Sequence, residues 1–164
     1  MSKIIIGADL VPTQSNAELF AAGDAETLVG TELRKILADA DYRIFNLETP
    51  LADVESPIAK CGPNLIAPTS TIQGYKAIGA DILTLANNHI LDHGVQALDS
   101  TRRLLKENGI AFFGVGENFT QLGSDKRFNV AGGEQFRVRF RRHEIGANQE
   151  ARHCVSFQYV FSGS

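Results

Sequence analysis

The chain has 164 residues, which by length corresponds to about one domain. Apolar residues make up 43% and charged residues 21%, so the composition excludes a disordered chain. The net charge of −3 gives no indication of a nucleic-acid partner. No apolar run approaches the roughly 18 residues of a membrane span, and we expect no secretory signal before the first strand. With two cysteines a disulfide scaffold is excluded, and we expect a soluble, cytoplasmic protein.

The first predicted elements are a strand, a helix and a second strand. Residues 3–7 (KIIIG) form a short apolar, β-branched run that ends at a glycine. Asp24 is typical of a helix N-cap, and the helix is expected to run to about Ala38. Residues 41–47 (DYRIFNL) predict the next strand. The predicted helix places four apolar side chains near one face: Leu28, Leu33, Ile36 and Leu37.

The pattern of helix and strand continues after a long proline-rich connection over residues 50–68. A short helix is expected after residues 69–71, with Ile72, Tyr75 and Ile78 on one face and Gly79 as its stop. The remaining predicted elements are a buried strand at 81–86, a helix at 95–108 and a strand at 110–115. This order predicts an α/β fold, a parallel sheet covered by helices.

The end of the chain differs in composition from the rest. Residues 132–164 carry five arginines, no lysine and three glutamates. Apolar and polar side chains alternate in residues 136–141 and again in residues 155–161, which predicts half-exposed antiparallel edge strands. We therefore divide the chain into residues 1–131 and a divergent or truncated tail, 132–164.

Polar residues gather where the predicted strands end, which is where open α/β sheets bind ligands. Asp9 follows the first strand, Asn46 and Glu48 end the second, and Asn87, Asn88 and His89 end the third. Carboxylate, amide and imidazole donors together suit a divalent cation such as Mn, Fe, Zn or Mg. Each residue also has a structural interpretation, as a turn residue, a cap or a buried, hydrogen-bonded histidine.

Asp92 and His93 lie one helical turn beyond His89. His89 and His93 are spaced i, i+4, so they could share a helical face around a zinc ion if the helix already begins there. A glycine pair at 114 and 116 follows a strand, but no third glycine completes a dinucleotide-binding turn.

Five segments occur together in the order of a known family. They are residues 6–13 (IGADLVPT), 46–51 (NLETPL), 60–64 (KCGPN), 85–94 (LANNHILDHG) and 114–118 (GVGEN). On these segments, residues 3–131 resemble the bacterial capsule-synthesis (CapA) family associated with poly-γ-glutamate production. That family is a branch of the calcineurin-like metallophosphoesterase superfamily.

The resemblance implies a metallophosphoesterase-like layered sheet with flanking helices, of which this chain holds the N-terminal half. It also implies a divalent metal, Mn, Fe or Zn, with two ions in a complete domain. Position by position, Asp9 is expected to be the ligand from the first strand, Glu48 the bridging carboxylate and Asn88 the amide ligand.

Catalysis and substrate binding are implied for four further residues. His89 is expected to protonate the leaving oxygen of a phosphoester, with Asp92 supporting its loop. Lys60 and His93 are expected to contact an anionic small-molecule or polymer substrate.

Two departures from the superfamily pattern leave a second hypothesis open. Val11 stands where a histidine is usual, and the later histidine motifs of the superfamily find no match, since only His143 and His153 follow. The chain is therefore either a metal-dependent, phosphoesterase-like hydrolase or a non-catalytic fragment that acts as a binding module.

Overall fold

The core of the molecule is a four-stranded parallel sheet. A computed structural model describes residues 3–115 in full, together with the strands at 125–129, 135–142 and 155–160. The sheet has the order β1-β2-β3-β4. Its strands are β1 (Ile4–Leu10), β2 (Tyr42–Leu47), β3 (Ile82–Thr84) and β4 (Ala111–Phe113). This parallel sheet with flanking helices confirms the predicted α/β class and is consistent with a metallophosphoesterase-like fold.

Helices connect the strands. They are α1 (Ala17–Ala22), α2 (Ala25–Ala38), α3 (Ile72–Ala77) and α4 (Gly94–Glu107), and a 3-10 turn at Thr69–Thr71 precedes α3. The Asp24 side chain accepts hydrogen bonds from the N–H groups of Glu26 and Thr27, which confirms its predicted role as the cap of α2. The helix α1 was not predicted from the sequence.

Alternation along the strands divides the sheet into two apolar faces. Phe45 and Leu83 belong to the main core, together with the helix residues Phe20, Tyr75 and Leu105. The neighbouring strand residues, Ile44, Ile82 and Phe113, form a second buried cluster. Both faces of the sheet are therefore apolar, as expected for parallel strands.

The predicted apolar face of α2 is only partly correct. Leu37 is buried and Leu28 packs against the core, but Leu33 and Ile36 are 45% and 59% exposed. Gly30 has non-helical angles (φ 75°, ψ 163°), so two helical segments meet there. The kink changes the phase of the helix, and residues that would share one face of a straight helix do not share it here.

A β-bulge in β1 sets the position of Asp9. Ile6 pairs with Ile44, but Asp9 pairs with Asn46, so β1 contains one more residue than β2 over this interval. Gly7 lies in the bulge, and a Cβ atom there would be 2.3 Å from Cδ1 of Phe45. The close approach of the Phe45 ring therefore requires glycine at position 7, and the bulge brings Asp9 beside Asn46.

A second sheet lies near the end of the chain. It consists of the antiparallel strands β5 (Asp125–Asn129), β6 (Gln135–Arg142) and β7 (Val155–Val160), in that order. The predicted antiparallel strands are confirmed, but the prediction that both are edge strands was wrong, because β6 pairs on both sides. Residues 116–118 of the family resemblance, His143 and His153 lie outside the described residues.

No helix in the described part of the chain is long and apolar enough to cross a membrane.

Candidate functional site

Asn46 connects the ends of the first three strands. Its Nδ2 donates to Asp9 Oδ1 at 2.7 Å, and its Oδ1 accepts from the hydroxyl of Thr84 at 2.8 Å. The bulge in β1 makes the first contact possible because it pairs Asp9 with Asn46. Asp9 is exposed at this edge of the sheet, and within the described part of the chain its hydrogen bond to Asn46 uses Oδ1 alone.

Asn87 organises the loop that follows β3. Its Nδ2 donates to the carbonyl of Leu47 at 2.8 Å, and its Oδ1 accepts from the N–H groups of His89 and Ile90 at 3.0 and 2.9 Å. Nδ2 also lies 3.3 Å from Asn46 Oδ1. One amide side chain thus ties the 87–90 turn to the end of β2 and fixes the direction in which His89 leaves the sheet.

Asn88 has different surroundings from its neighbour. Its side chain is exposed and makes no hydrogen bond within the part of the chain that the structure describes in full. Glu48 is half-buried, with its side chain 21% exposed. Both side chains follow strand ends and have oxygen atoms without a hydrogen bond to the described residues. The roles of Asp9, Glu48 and Asn88 as metal ligands stay predictions.

His89 lies between two carboxylates. Its Nδ1 is 2.6 Å from Asp92 Oδ2, and its Nε2 is 3.9 Å from Glu48 Oε1. Because an ionised carboxylate can only accept, Nδ1 carries the proton in the contact with Asp92. The Nε2 atom is then left to exchange a proton on the side of Glu48.

Lys60 forms an ion pair with Asp92 Oδ1. Its Nζ also lies 3.3 Å from His89 Nδ1, and its side chain is 20% exposed. The ammonium group that was predicted to contact substrate is therefore already engaged, with a partner 32 residues away. In this arrangement Lys60 compensates the charge of Asp92.

Asp92 is the most enclosed charge of the site, with a side chain that is 0% exposed. Burial by itself raises the pKa of this carboxyl, but hydrogen bonds from Lys60, from the N–H of Leu65 and from His89 outweigh it, so the pKa lies below its usual value. The Leu65 N–H donates to Oδ2 at 2.7 Å, and the N–H of Ile58 donates to the Asp92 carbonyl at 2.9 Å. Asp92 is therefore ionised at neutral pH and anchors residues 58–65.

His93 is buried, at 3% exposure, and its Nδ1 accepts from the N–H of Ser56 at 2.8 Å. It is the N-cap residue of α4, which begins at Gly94, whereas His89 lies in the preceding turn. The two histidines therefore do not share a face of one helix, and the i, i+4 zinc arrangement is wrong.

A complete metal shell is not formed by the residues described here. Within residues 3–115 no three His, Cys, Asp or Glu side chains are grouped closely enough to hold a metal ion. Asp9, Glu48 and Asn88 have suitable donor chemistry, since carboxylate and amide oxygens suit hard divalent cations. The donor types therefore fit a divalent metal, and further ligands would have to come from other residues.

Sequence reasoning underestimated Asn46 and Asn87 and did not single out Thr84. Asn46 and Asn87 follow or end apolar strands, and an amide with both a donor and an acceptor can bridge two strand ends. Thr84 is the polar residue of an otherwise apolar strand and is 1% exposed. A buried hydroxyl next to a strand end signals a hydrogen-bonded partner and could have identified the network.

Comparisons with known proteins give a consistent assignment. The family model described as bacterial capsule synthesis protein PGA_cap matches residues 4–153. The chain is 35% identical over 108 residues to the uncharacterized protein y4sH of Sinorhizobium fredii, a match that covers 63% of this chain and 23% of that protein. It is 33% identical over 99 residues to the capsule biosynthesis protein CapA of Bacillus anthracis, covering 58% of this chain and 24% of that protein.

The chain thus spans about a quarter of the length of the curated relatives it matches. The family match extends past residue 131, where the motif resemblance ends, and includes most of the described strand residues of the second sheet. Since it covers most of the chain, the protein belongs to the CapA-like family of bacterial capsule synthesis proteins, PGA_cap.

Proposed function

We propose that the chain contributes a divalent-metal-dependent, phosphoesterase-like hydrolase site to capsule synthesis, acting on an anionic substrate. The observation that carries the proposal is the arrangement of His89. One ring nitrogen is held by the buried carboxylate of Asp92, and the other lies 3.9 Å from Glu48 at the carboxyl edge of the sheet. An imidazole oriented by a carboxylate is a common arrangement for moving protons during hydrolysis.

The residues around His89 have separate tasks in this proposal. Asp92 orients the imidazole by accepting the hydrogen bond from Nδ1–H. The doubly protonated ring gives its Nε2 proton to the leaving oxygen and is left neutral, with the proton on Nδ1. Lys60 keeps the carboxylate of Asp92 ionised, because a buried carboxylate beside an ammonium group favours its charged form. Lys60 therefore acts through Asp92 and His89 in this proposal. The contacts of Lys60 and His93 with an anionic substrate stay predictions.

A divalent cation would be held by Asp9, Glu48 and Asn88, with Mn, Fe or Zn as the candidate ions. When bound, such an ion polarises a phosphoryl oxygen and lowers the pKa of water. Asp9 contributes a carboxylate that Asn46 orients by a 2.7 Å hydrogen bond. Such support for a ligating carboxylate is expected at a metal site.

The test combines metal analysis with turnover in the 164-residue chain. We expect hydrolysis of a generic aryl phosphoester in the presence of Mn²⁺. His89→Ala should lower turnover by about 10²-fold or more and leave metal content largely intact, because His89 transfers a proton. Glu48→Ala should lower both metal content and turnover. Glu55→Gln removes an exposed carboxylate outside the proposed site and is the matched control.

A chain that binds no metal, and whose properties do not change in Glu48→Ala, would contradict the hydrolase proposal. A cooperative thermal transition without turnover would then favour the non-catalytic binding module. The two functions are distinguished because the variants report metal content and turnover separately.

A further inference from the structure

A row of polar side chains crosses the first three strands near the carboxyl edge of the parallel sheet. Asp9 in β1 pairs with Asn46 in β2, and Asn46 pairs with Thr84, the last residue of β3. Asn87, in the turn after β3, also faces Asn46. The amide of Asn46 therefore has neighbours on two sides, and it must present its donor to one and its acceptor to the other.

The orientation of the Asn87 amide is fixed by the backbone around it. Its Oδ1 accepts from the N–H groups of His89 and Ile90, and its Nδ2 donates to the carbonyl of Leu47. Because a backbone N–H only donates and a carbonyl only accepts, this amide cannot be reversed. Nδ2 of Asn87 is therefore the atom that faces Asn46, and it lies 3.3 Å from Asn46 Oδ1.

The orientation of the Asn46 amide follows from these neighbours. Its oxygen faces two donors, Nδ2 of Asn87 and the hydroxyl of Thr84, which lies 2.8 Å away. Its nitrogen then faces Asp9 and donates to Oδ1 at 2.7 Å. In the reversed amide, the oxygen would face a carboxylate and the nitrogen would face the NH₂ group of Asn87. Both contacts would be unfavourable, so the network selects one orientation.

The hydroxyl of Thr84 lies in an otherwise apolar strand. Thr84 is 1% exposed, and its neighbours Leu83 and Leu85 are 0% exposed. Valine has the same shape without the hydroxyl and is favoured in buried strands, so packing alone does not call for threonine here. Within the described part of the chain, the hydroxyl makes its side-chain hydrogen bond to Asn46 Oδ1. The polar group at this position therefore serves the orientation of Asn46.

We propose that Thr84 is a positioning residue for Asp9 and acts through Asn46. Its hydroxyl, together with Asn87, holds the Asn46 amide in the orientation that presents Nδ2 to the carboxylate. Among the described residues this bond uses Oδ1 of Asp9 alone, so Oδ2 is the oxygen that would bind the divalent cation. The role toward a cation rests on the proposed function, in which Asp9 is a metal ligand. Residues that support a ligand in this way affect metal affinity without touching the metal.

The first measurement is the affinity of the 164-residue chain for Mn²⁺, by isothermal titration calorimetry. Thr84→Val removes the hydroxyl and should weaken Mn²⁺ binding about tenfold or more, as the loss of a group that supports a ligand does. Thr84→Ser keeps a hydroxyl and should bind Mn²⁺ as the wild type does. Thr71→Val is the matched control. It removes a buried hydroxyl that donates to the carbonyl of Pro68, outside the row, and should leave the affinity unchanged.

The second measurement needs no metal. In EDTA, the double variant of Thr84→Val and Asp9→Ala should lose less free energy of unfolding than the sum of the two single losses, because both disturb the same bonds. Thr71→Val and Asp9→Ala should be additive.

Additive effects of Thr84→Val and Asp9→Ala would overturn the proposal, and so would wild-type Mn²⁺ affinity in Thr84→Val. A wild-type chain that binds no Mn²⁺ would contradict the proposed function instead, and the double variant in EDTA would then test the role of Thr84 by itself.

Discussion

Lys60 and Asp92 form an ion pair between residues 32 positions apart in the sequence, and the carboxylate of the pair is completely buried. Lys60 comes from the long connection after β2, and Asp92 from the turn before α4. The pair therefore joins two segments that belong to neither a strand nor a helix. Its energetics bear on both the stability of the molecule and the orientation of His89.

Replacing Lys60 by Met should destabilise the protein strongly. The variant leaves the Asp92 carboxylate buried without its counter-charge, which we expect to lower the free energy of unfolding by about 3 kcal/mol. Urea denaturation at neutral pH measures the change. Lys106→Met, at an exposed position of α4, should change the free energy of unfolding by no more than about 0.5 kcal/mol. Equal effects of the two substitutions would contradict the role of the ion pair.

The same carboxylate should make stability depend on pH in the acid range. The pKa of Asp92 in the folded protein lies below its unfolded value of 3.8. The ionised carboxylate therefore stabilises the fold fully above pH 3.8. This contribution is lost as the pH falls through the pKa that Asp92 has in the folded protein. In Asp92→Asn the urea midpoint should fall less between about pH 6 and about pH 3 than in the wild type. If the urea midpoint of Asp92→Asn fell as much with pH as that of the wild type, Asp92 would not be a source of the pH dependence.

Tyr75 should govern stability at the alkaline end. Its side chain is fully buried, its hydroxyl donates to the carbonyl of Leu10 at 3.2 Å, and burial raises its pKa well above 10.0. The neutral phenol contributes its full stability below pH 10.0, and the contribution decreases as the pH rises above that value. Tyr75→Phe should cost about 1 kcal/mol at neutral pH but reduce the alkaline loss. The free energy of unfolding, measured at about pH 8 and about pH 11 for the wild type and Tyr75→Phe, would give both the loss near neutral pH and the smaller loss at alkaline pH.

Substitution of Gly7 by Ala should disturb the bulge. The new Cβ would approach Cδ1 of Phe45 to 2.3 Å, so β1 or the ring must move, at a cost of about 1–3 kcal/mol. Adding Phe45→Leu should recover part of this loss, because the shorter side chain makes room. If the double variant is less stable than the sum of the two single changes predicts, then steric conflict with Phe45 is not the reason for glycine at this position.

The adjacent residues Asn87 and Asn88 should respond differently to alanine. Asn87→Ala removes hydrogen bonds to Leu47, His89 and Ile90 and should lower the free energy of unfolding by about 2 kcal/mol. Asn88→Ala, at an exposed position, should change it by less than about 0.5 kcal/mol. If Asn88 is a metal ligand, its loss should weaken Mn²⁺ binding, which calorimetry measures. Undiminished binding would remove Asn88 from the proposed shell.

Much of the order of elements could be predicted because it depends on neighbours in the sequence. The cap at Asp24 is satisfied by the N–H groups of the next helical turn, and Ile72, Tyr75 and Ile78 are buried together because they are one turn apart. Such local relations need no knowledge of the rest of the fold. Glu48 and the 87–89 turn follow their strands, as predicted, whereas Asp9 was expected after the first strand and lies inside β1, because that strand continues through the bulge to Leu10.

The details of the site depend on contacts between distant segments. The bulge beside Gly7 arises from a ring in the next strand, and the engagement of Lys60 depends on a partner 32 residues away. Asn87 and Asn88 are neighbours with the same side-chain chemistry, but only Asn87 turns back to bind Leu47, His89 and Ile90. No periodicity or spacing in the sequence carries this information.

The attachment of residues 58–65 to Asp92 has a consequence for hydrogen exchange. The N–H of Leu65 is bound to the carboxylate and that of Ile58 to the carbonyl of the same residue. Release of residues 58–65 would remove hydrogen-bond donors from Asp92 and expose its charge to water. Release of only one end would lose a donor while the carboxylate stays largely buried, so it is unfavourable. The amide hydrogens of Leu65 and Ile58 should therefore exchange at a common rate. The segment then behaves as one cooperative opening unit, and its opening is the event that admits solvent to the ion pair.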